Sequence, residues 1–332
     1  MEFTTLIVKV LKFSDNQNMA EVNQKKSVFS NIFVVFLGAT LCCFLWGSAT
    51  PSIKIGYRLF SIASDDTPTV VLFAGVRFFF AGIFTVLFGS LLQKQLLLPR
   101  SVIAFKKVVA LAMVQTILQY FFFYGGLTRC PGVKSSVILA TNVFASLLIA
   151  ALLFKQEKLT VLKIFGCIVG FVGVVLVTVF GKEVDYHISF GGEGFIFLSS
   201  VCYGLSGCLM KSFSRDENTV MLSGYQFAFG GAVMILTGFC LGGRFSGFTL
   251  QSASLLLYLI FVSSVAYTLW GLLLSHNDVS RVVIFGFLNP VFGVILSSIF
   301  LNEQSQTGLV TIISLILVCL GIFLVNRKSI RN

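Results

Sequence analysis

The sequence predicts an all-α membrane protein of ten transmembrane helices, arranged as two inverted five-helix repeats. Three observations carry this prediction. Of 332 residues, 56% are hydrophobic and only 11% are charged, which is too apolar for a surface that faces water. The apolar residues gather in ten runs, at about 29–50, 69–92, 103–126, 133–154, 160–181, 194–212, 219–242, 252–274, 279–301 and 306–326. Each is close to the roughly 20 residues a helix needs to cross the hydrocarbon core. Lipid offers backbone N–H and C=O groups no partners, so the helix is the economical choice. Finally, the first five runs are echoed in order by the second five.

The echo can be followed element by element. The first run holds Trp46, Gly47 and Ser48 and ends towards Lys54; the sixth holds Tyr203, Gly204 and Leu205 and ends towards Lys211. In the second and seventh, AGVRFFFAG at 74–82 aligns with SGYQFAFGG at 223–231. Tyr124-Gly125 in the third matches Trp270-Gly271 in the eighth. The fourth (133–157) opens with Lys134, contains Asn142 and closes on Glu157; the ninth (279–303) has Arg281, Asn289-Pro290 and Glu303 in the same order. Gly173 before VVLV and Gly321 before IFLV close the two halves. An odd number of spans per repeat turns the halves into opposite orientations, which places a binding site near the midplane between them. The expected units are a polar cytoplasmic tail at 1–28, a first repeat at 29–182 and a second at 188–328.

Charge sets the orientation. Loops that share a side with the N-terminus carry most of the 24 basic residues, while the opposite loops hold Lys54, Arg58, Arg129, Lys134, Lys182 and Arg244. Both termini are therefore expected in the cytoplasm. The net charge of +11 falls in short loops between spans, so it points to membrane orientation and not to nucleic acid. Met19 precedes AEVNQKKS and offers an internal start. Cys42, Cys43, Cys167, Cys202, Cys208, Cys240 and Cys319 sit in apolar runs. There is no CxxC and only two histidines are present, so neither a metal, a cofactor nor a disulfide framework is expected.

On these residues the halves resemble the EamA module of the drug/metabolite transporter superfamily. The matching pieces are Trp46-Gly47, Arg77-Phe78, the basic residues Lys134 and Arg281, Gly192-Glu193 before the sixth span, and Pro290-Val291-Phe292 followed by Glu303. The resemblance implies a ten-span carrier, not an enzyme, and points to export of an amino acid or another small metabolite. Phe144 stands where the family has a proline in the fourth span, so the ninth helix is expected to bend more than the fourth.

Candidate functional residues are polar, aromatic or helix-breaking groups at membrane depth. Pro51 and Pro290 each remove a helical hydrogen bond and crowd the carbonyl four residues back, at Gly47 and Gly286; these four are candidate hinges, with plain packing kinks as the alternative. Asn142, Asn289 and Gln226 must face the interior, to bond another helix or a substrate. Arg77 is the one cation deep in a span, suited to an anionic substrate group or to backbone carbonyls. Lys134 and Arg281, at helix N-termini on opposite faces, are either entry and exit contacts or topology markers. Trp46 with Tyr203, and Tyr124 with Trp270, are repeat-related candidate cavity walls. The GxxxG of Gly166 and Gly170 is expected to pack half against half. No acid lies at the centre of a span, so a deep proton relay is not expected.

The resulting expectation is a secondary transporter of a small metabolite, exporting it by alternating access across a bacterial cytoplasmic (inner) membrane. A sugar-phosphate or nucleotide-sugar exchanger of the same superfamily is the alternative, and would need convergent basic residues. An intramembrane enzyme or a receptor is disfavoured: His187 and His276 lie in loops with no acidic cluster. The expected partners are the bilayer and a small-molecule substrate, and a homodimer is left open.

Overall fold

A computed structural model describes residues 28–63, 65–130, 132–180, 189–244, 246–301 and 308–327. Most of the 1–28 tail, Met19, Lys182, His187, Glu303 and Lys328 lie outside the described residues. Ten helices are long and apolar enough to cross a membrane: α1 Ile32–Leu59, α2 Thr67–Gln93, α3 Val102–Leu127, α4 Lys134–Leu153, α5 Val161–Val179, α6 Phe190–Phe213, α7 Thr219–Cys240, α8 Leu250–His276, α9 Val279–Phe300 and α10 Leu309–Asn326. Short polar side chains begin many of them, each accepting from an N–H that has no partner inside the helix. Asn31, Asp66, Ser101, Thr160, Ser189, Asn218 and Thr249 start α1, α2, α3, α5, α6, α7 and α8 in this way.

The packing repeats when the two halves are exchanged. Helix α6 lies against α3 and α4, just as α1 lies against α8 and α9. Helices α2 and α7 pack on each other, as do α5 and α10. Equivalent helices paired with one another mark a pseudo-two-fold axis, and five spans per half make the repeats inverted. Glycines bring these pairs close. A Cβ on Gly75 would stand 2.7 Å from the Ile235 nitrogen, and one on Gly238 2.7 Å from the Leu72 nitrogen. Gly82 and Gly231 lie tighter still, where a Cβ would come to 2.3 Å from the Ala228 and Phe79 nitrogens respectively. On α5, a Cβ at Gly166 would meet the Gly321 carbonyl at 2.9 Å. The Gly166–Gly170 stripe thus joins the halves.

Three helices are interrupted. In α9 a short 3₁₀ stretch, Ile284–Phe287, separates Val279–Val283 from Leu288–Leu301. Pro290 sits in the first turn of that last piece, where its missing N–H costs least. In α4 the helix breaks at Thr141, whose Oγ1 donates to the Ile138 carbonyl at 2.5 Å, and ends in wide π turns at Ile149–Leu153. Helix α3 carries π turns at Ala112–Leu118. Proline spacing thus gave an incomplete account: α4 breaks without one. Conversely, α1 runs unbroken through Pro51 to Leu59. At Gly47, a candidate hinge with a packing kink as its alternative, a Cβ would lie 2.6 Å from Phe292 Cβ, so α1 and α9 are in close contact there.

Replacing Gly231 by Leu should push α7 off α2. Overpacking of this kind costs about 1–3 kcal/mol or more, so the purified variant should melt several degrees lower. Fluorescence-detected size-exclusion chromatography after heating would measure this.

Candidate functional site

The centre of the bundle is where α2 crosses α7. Phe78 and Phe227, equivalent in the aligned repeats, stack with centroids 5.1 Å apart and planes 5° from parallel. Arg77 and Gln226 are the residues before them, so repeat-related positions hold a guanidinium in one half and an amide in the other. Both are buried, at 5% and 0% exposure. Arg77 Nε has no partner, and its Cζ lies 4.4 Å from the Phe78 ring centroid. The phenols of Tyr120 and Tyr267 pack on the stacked pair, with centroids 4.6 Å from Phe78 and 4.8 Å from Phe227. Gln226 Oε1 accepts from Thr116 Oγ1 at 2.7 Å while its Nε2 has no partner.

Beside this crossing stands an aromatic cluster from α1, α6 and α8. The Trp46 ring packs edge-on against Tyr267 and Trp270, both at 5.0 Å, and against Tyr203 at 6.4 Å. Trp46 and Tyr203, equivalent in the repeats, thus meet like Phe78 and Phe227. A hydrogen bond of 2.9 Å between the Tyr120 and Tyr267 hydroxyls ties the aromatic cluster to the Arg77 side. Tyr203, Tyr267 and Trp270 line a cavity of about 10 Å3, together with Gln115, Ser206, Gly207, Met210, Gly271 and Leu274. Gln115 belongs to the π turns of α3, and its Oε1 has no partner. The π turn is the local device that sets an amide against this wall.

These polar atoms are costly to the fold. A buried group left unsatisfied costs about 1–3 kcal/mol. Trp46 Nε1, Arg77 Nε, Gln115 Oε1, Gln119 Oε1, Ser223 Oγ and Gln226 Nε2 are all in that condition. These are six of the thirteen such atoms among the described residues, and they sit on α1, α2, α3 and α7, where a polar ligand would supply the missing partners.

The remaining predicted residues lie elsewhere. Lys134 forms an ion pair with Glu193 at 2.7 Å, and the Ser189 N–H donates to the same carboxylate at 2.9 Å. This commits Lys134 to joining the starts of α4 and α6. At the other end of α4, Glu157 accepts from the Ser280 N–H at 2.9 Å, and Lys163 pairs with it at 2.5 Å. The carboxylate after α4 thus caps α9. Arg281 is half-buried near that cap. It does not reach the centre with Arg77, and Lys134 sits at the opposite end. Asn142 Oδ1 lies 3.8 Å from where a Cβ of Gly286 would be, so the breaks of α4 and α9 adjoin. Asn289 and Pro290 are half-buried. Tyr267, an aromatic at membrane depth, and Gln115, an amide followed one turn on by Gln119, are candidates of the same kinds as Trp46 and Gln226.

Residues 33–179 and 190–327 each match the model of the EamA-like transporter family. The chain belongs to this family. A Bacillus subtilis protein described as the uncharacterized transporter YvbV is 28% identical, over 78% of this chain and 83% of that one. A WAT1-related chloroplastic protein of Arabidopsis thaliana is 22% identical, over 92% of this chain and 73% of its own length. A solved crystal structure superposes with a TM-score of 0.69 at 16% identity, covering 88% of this chain and 97% of that one, and shares the fold. The EamA-family chain is therefore a multi-pass membrane transporter and not an enzyme.

Exchange of Gln226 for Leu together with Thr116 for Val removes the orphan amide group and the hydroxyl that would otherwise lose its acceptor, and should raise the melting temperature while lowering transport. Melting and proteoliposome flux measured on the same preparation would check both signs.

Proposed function

We propose that this transporter exports a small metabolite, an amino acid or related compound, by alternating access, with both termini in the cytoplasm of a bacterial cell. One observation carries the proposal: a bundle whose centre holds unpaired buried polar atoms also has two helices, α4 and α9, broken mid-span and adjoining at their breaks. Interrupted helices bend at low cost, and unpaired polar groups gain a partner when a solute arrives. The cavity of about 10 Å3 has room for about one water molecule. A metabolite therefore enters only if the walls move apart, as alternating access requires. In this reading the Glu157–Ser280 cap, between α4 and α9, and the Lys134–Glu193 pair, between α4 and α6, close opposite ends of the bundle and part in turn.

Arg77 is the anion-binding group of this reading. It is buried beside phenols, with one N–H free for a carboxylate. Lys134 is held by Glu193 and Arg281 lies at a helix end, so basic residues do not converge as a phosphorylated-sugar exchanger would need. The outward direction follows the resemblance to metabolite exporters, and the cytoplasmic termini follow the loop charge.

Arg77→Ala should lower the flux of carboxylate-bearing solutes by at least about tenfold, the loss of one charge-assisted contact. Proteoliposome counterflow with a panel of amino acids would test it, and unchanged flux at equal protein would remove Arg77 from the site. In the same assay Pro290→Ala should impair flux more than Phe144→Ala; the reverse ranking would move the hinge to α4.

A further inference from the structure

We propose that the small cavity between α3, α6 and α8 is the subsite for a primary ammonium group of the transported solute. The proposal rests on the carrier reading above and deepens it.

Size is the first argument. At about 10 Å3 the cavity takes a group no larger than a water molecule. A primary ammonium head meets that limit and a trimethylated one does not. Hydrogen bonding is the second. Gln115 Oε1, on the wall, is a buried acceptor with no partner. On the same wall Ser206 Oγ donates to the Tyr203 carbonyl at 2.7 Å, and the Tyr267 hydroxyl is bonded to Tyr120. The wall therefore asks for a donor.

Charge is the third. Tyr203, Tyr267 and Trp270 supply ring faces and edges, and no basic side chain is among the lining residues. Aromatic faces attract a cation. A neutral hydroxyl satisfies the amide oxygen equally well but gains nothing from the rings. Arg77, on the far side of the Tyr120–Tyr267 hydrogen bond, is the complementary group for a carboxylate. An ammonium near Gln115 and a carboxylate near Arg77 describe a zwitterionic solute. The residues on the two sides differ, so the solute has one preferred orientation.

The glycine on the α6 side provides the test. A Cβ at Gly207 would meet only Leu274 Cδ1, at 3.4 Å, which is ordinary contact. Gly207→Ala therefore fills the cavity without displacing a helix. Gly271 is less suitable, since a Cβ there would come to 3.2 Å from Thr219.

The experiment measures thermal stabilisation of the purified full chain by propylammonium, with tetramethylammonium and propan-1-ol as comparison probes. Propylammonium should raise the melting temperature saturably, and the other two should not. Gly207→Ala and Gln115→Leu should each weaken the propylammonium response by about tenfold or more. Equal responses to tetramethylammonium or propan-1-ol would overturn the proposal. So would a Gly207→Ala variant that melts higher and still responds to propylammonium, because the cavity would then be a packing defect. The carrier reading fails separately. Propylammonium binding lost in both variants, in a protein that moves no solute in proteoliposomes, would keep the subsite and end that reading. Solute flux indifferent to propylammonium would keep the carrier and end the subsite.

Discussion

Everything in the bundle is positioned by the contact of α2 with α7. Lipid provides no hydrophobic drive between helices, so close packing must hold them. The glycines at 75, 82, 231 and 238 let the two backbones approach until any side chain would collide. The crossing lies at Phe78 and Phe227, where equivalent rings stack. Once this is fixed, Arg77 and Gln226 have no choice of depth or direction. Helices α1, α6 and α8 bring Trp46, Tyr203, Tyr267 and Trp270 together beside the crossing, where Tyr267 packs on Phe227. A rigid crossing also gives α4 and α9 something to move against. Rigidity at α2–α7 and interruption at α4–α9 are complementary requirements of the same fold.

Much of this was legible in the sequence, because spans and repeats are statements about composition and order. The ten runs, the inverted halves and the pairing of Trp46 with Tyr203 all follow from patterns that single helices display. The seventh-span echo of AGVRFFFAG even placed Gln226 opposite Arg77. Backbone irregularity was less legible. Pro51 suggested a hinge, yet α1 passes through it unbroken and Gly47 serves packing. Thr141 and the π turns of α3 interrupt their helices with no proline to announce them. Such breaks depend on which carbonyls find partners across the bundle, and tertiary contacts decide that. Lys134 shows the same limit, since its partner Glu193 starts a helix two spans later.

The location of charge separates the structural groups from the functional ones. Carboxylates lie at helix ends, where Glu157 caps α9 and Glu193 holds Lys134. There they serve assembly, and charged groups at membrane ends cost little. The centre has a buried cation and several unsatisfied neutral groups instead. An interior built for stability alone would replace these atoms with hydrocarbon, since apolar substitution of both partners is nearly neutral or better. The glycine-packed pairs α2–α7 and α5–α10 supply the stability that lets this polar interior exist. The repeats differ where it matters most: one half keeps a guanidinium and the other an amide. A symmetric frame thereby holds an asymmetric site, and a solute bound there is oriented by that difference whichever end of the bundle is open.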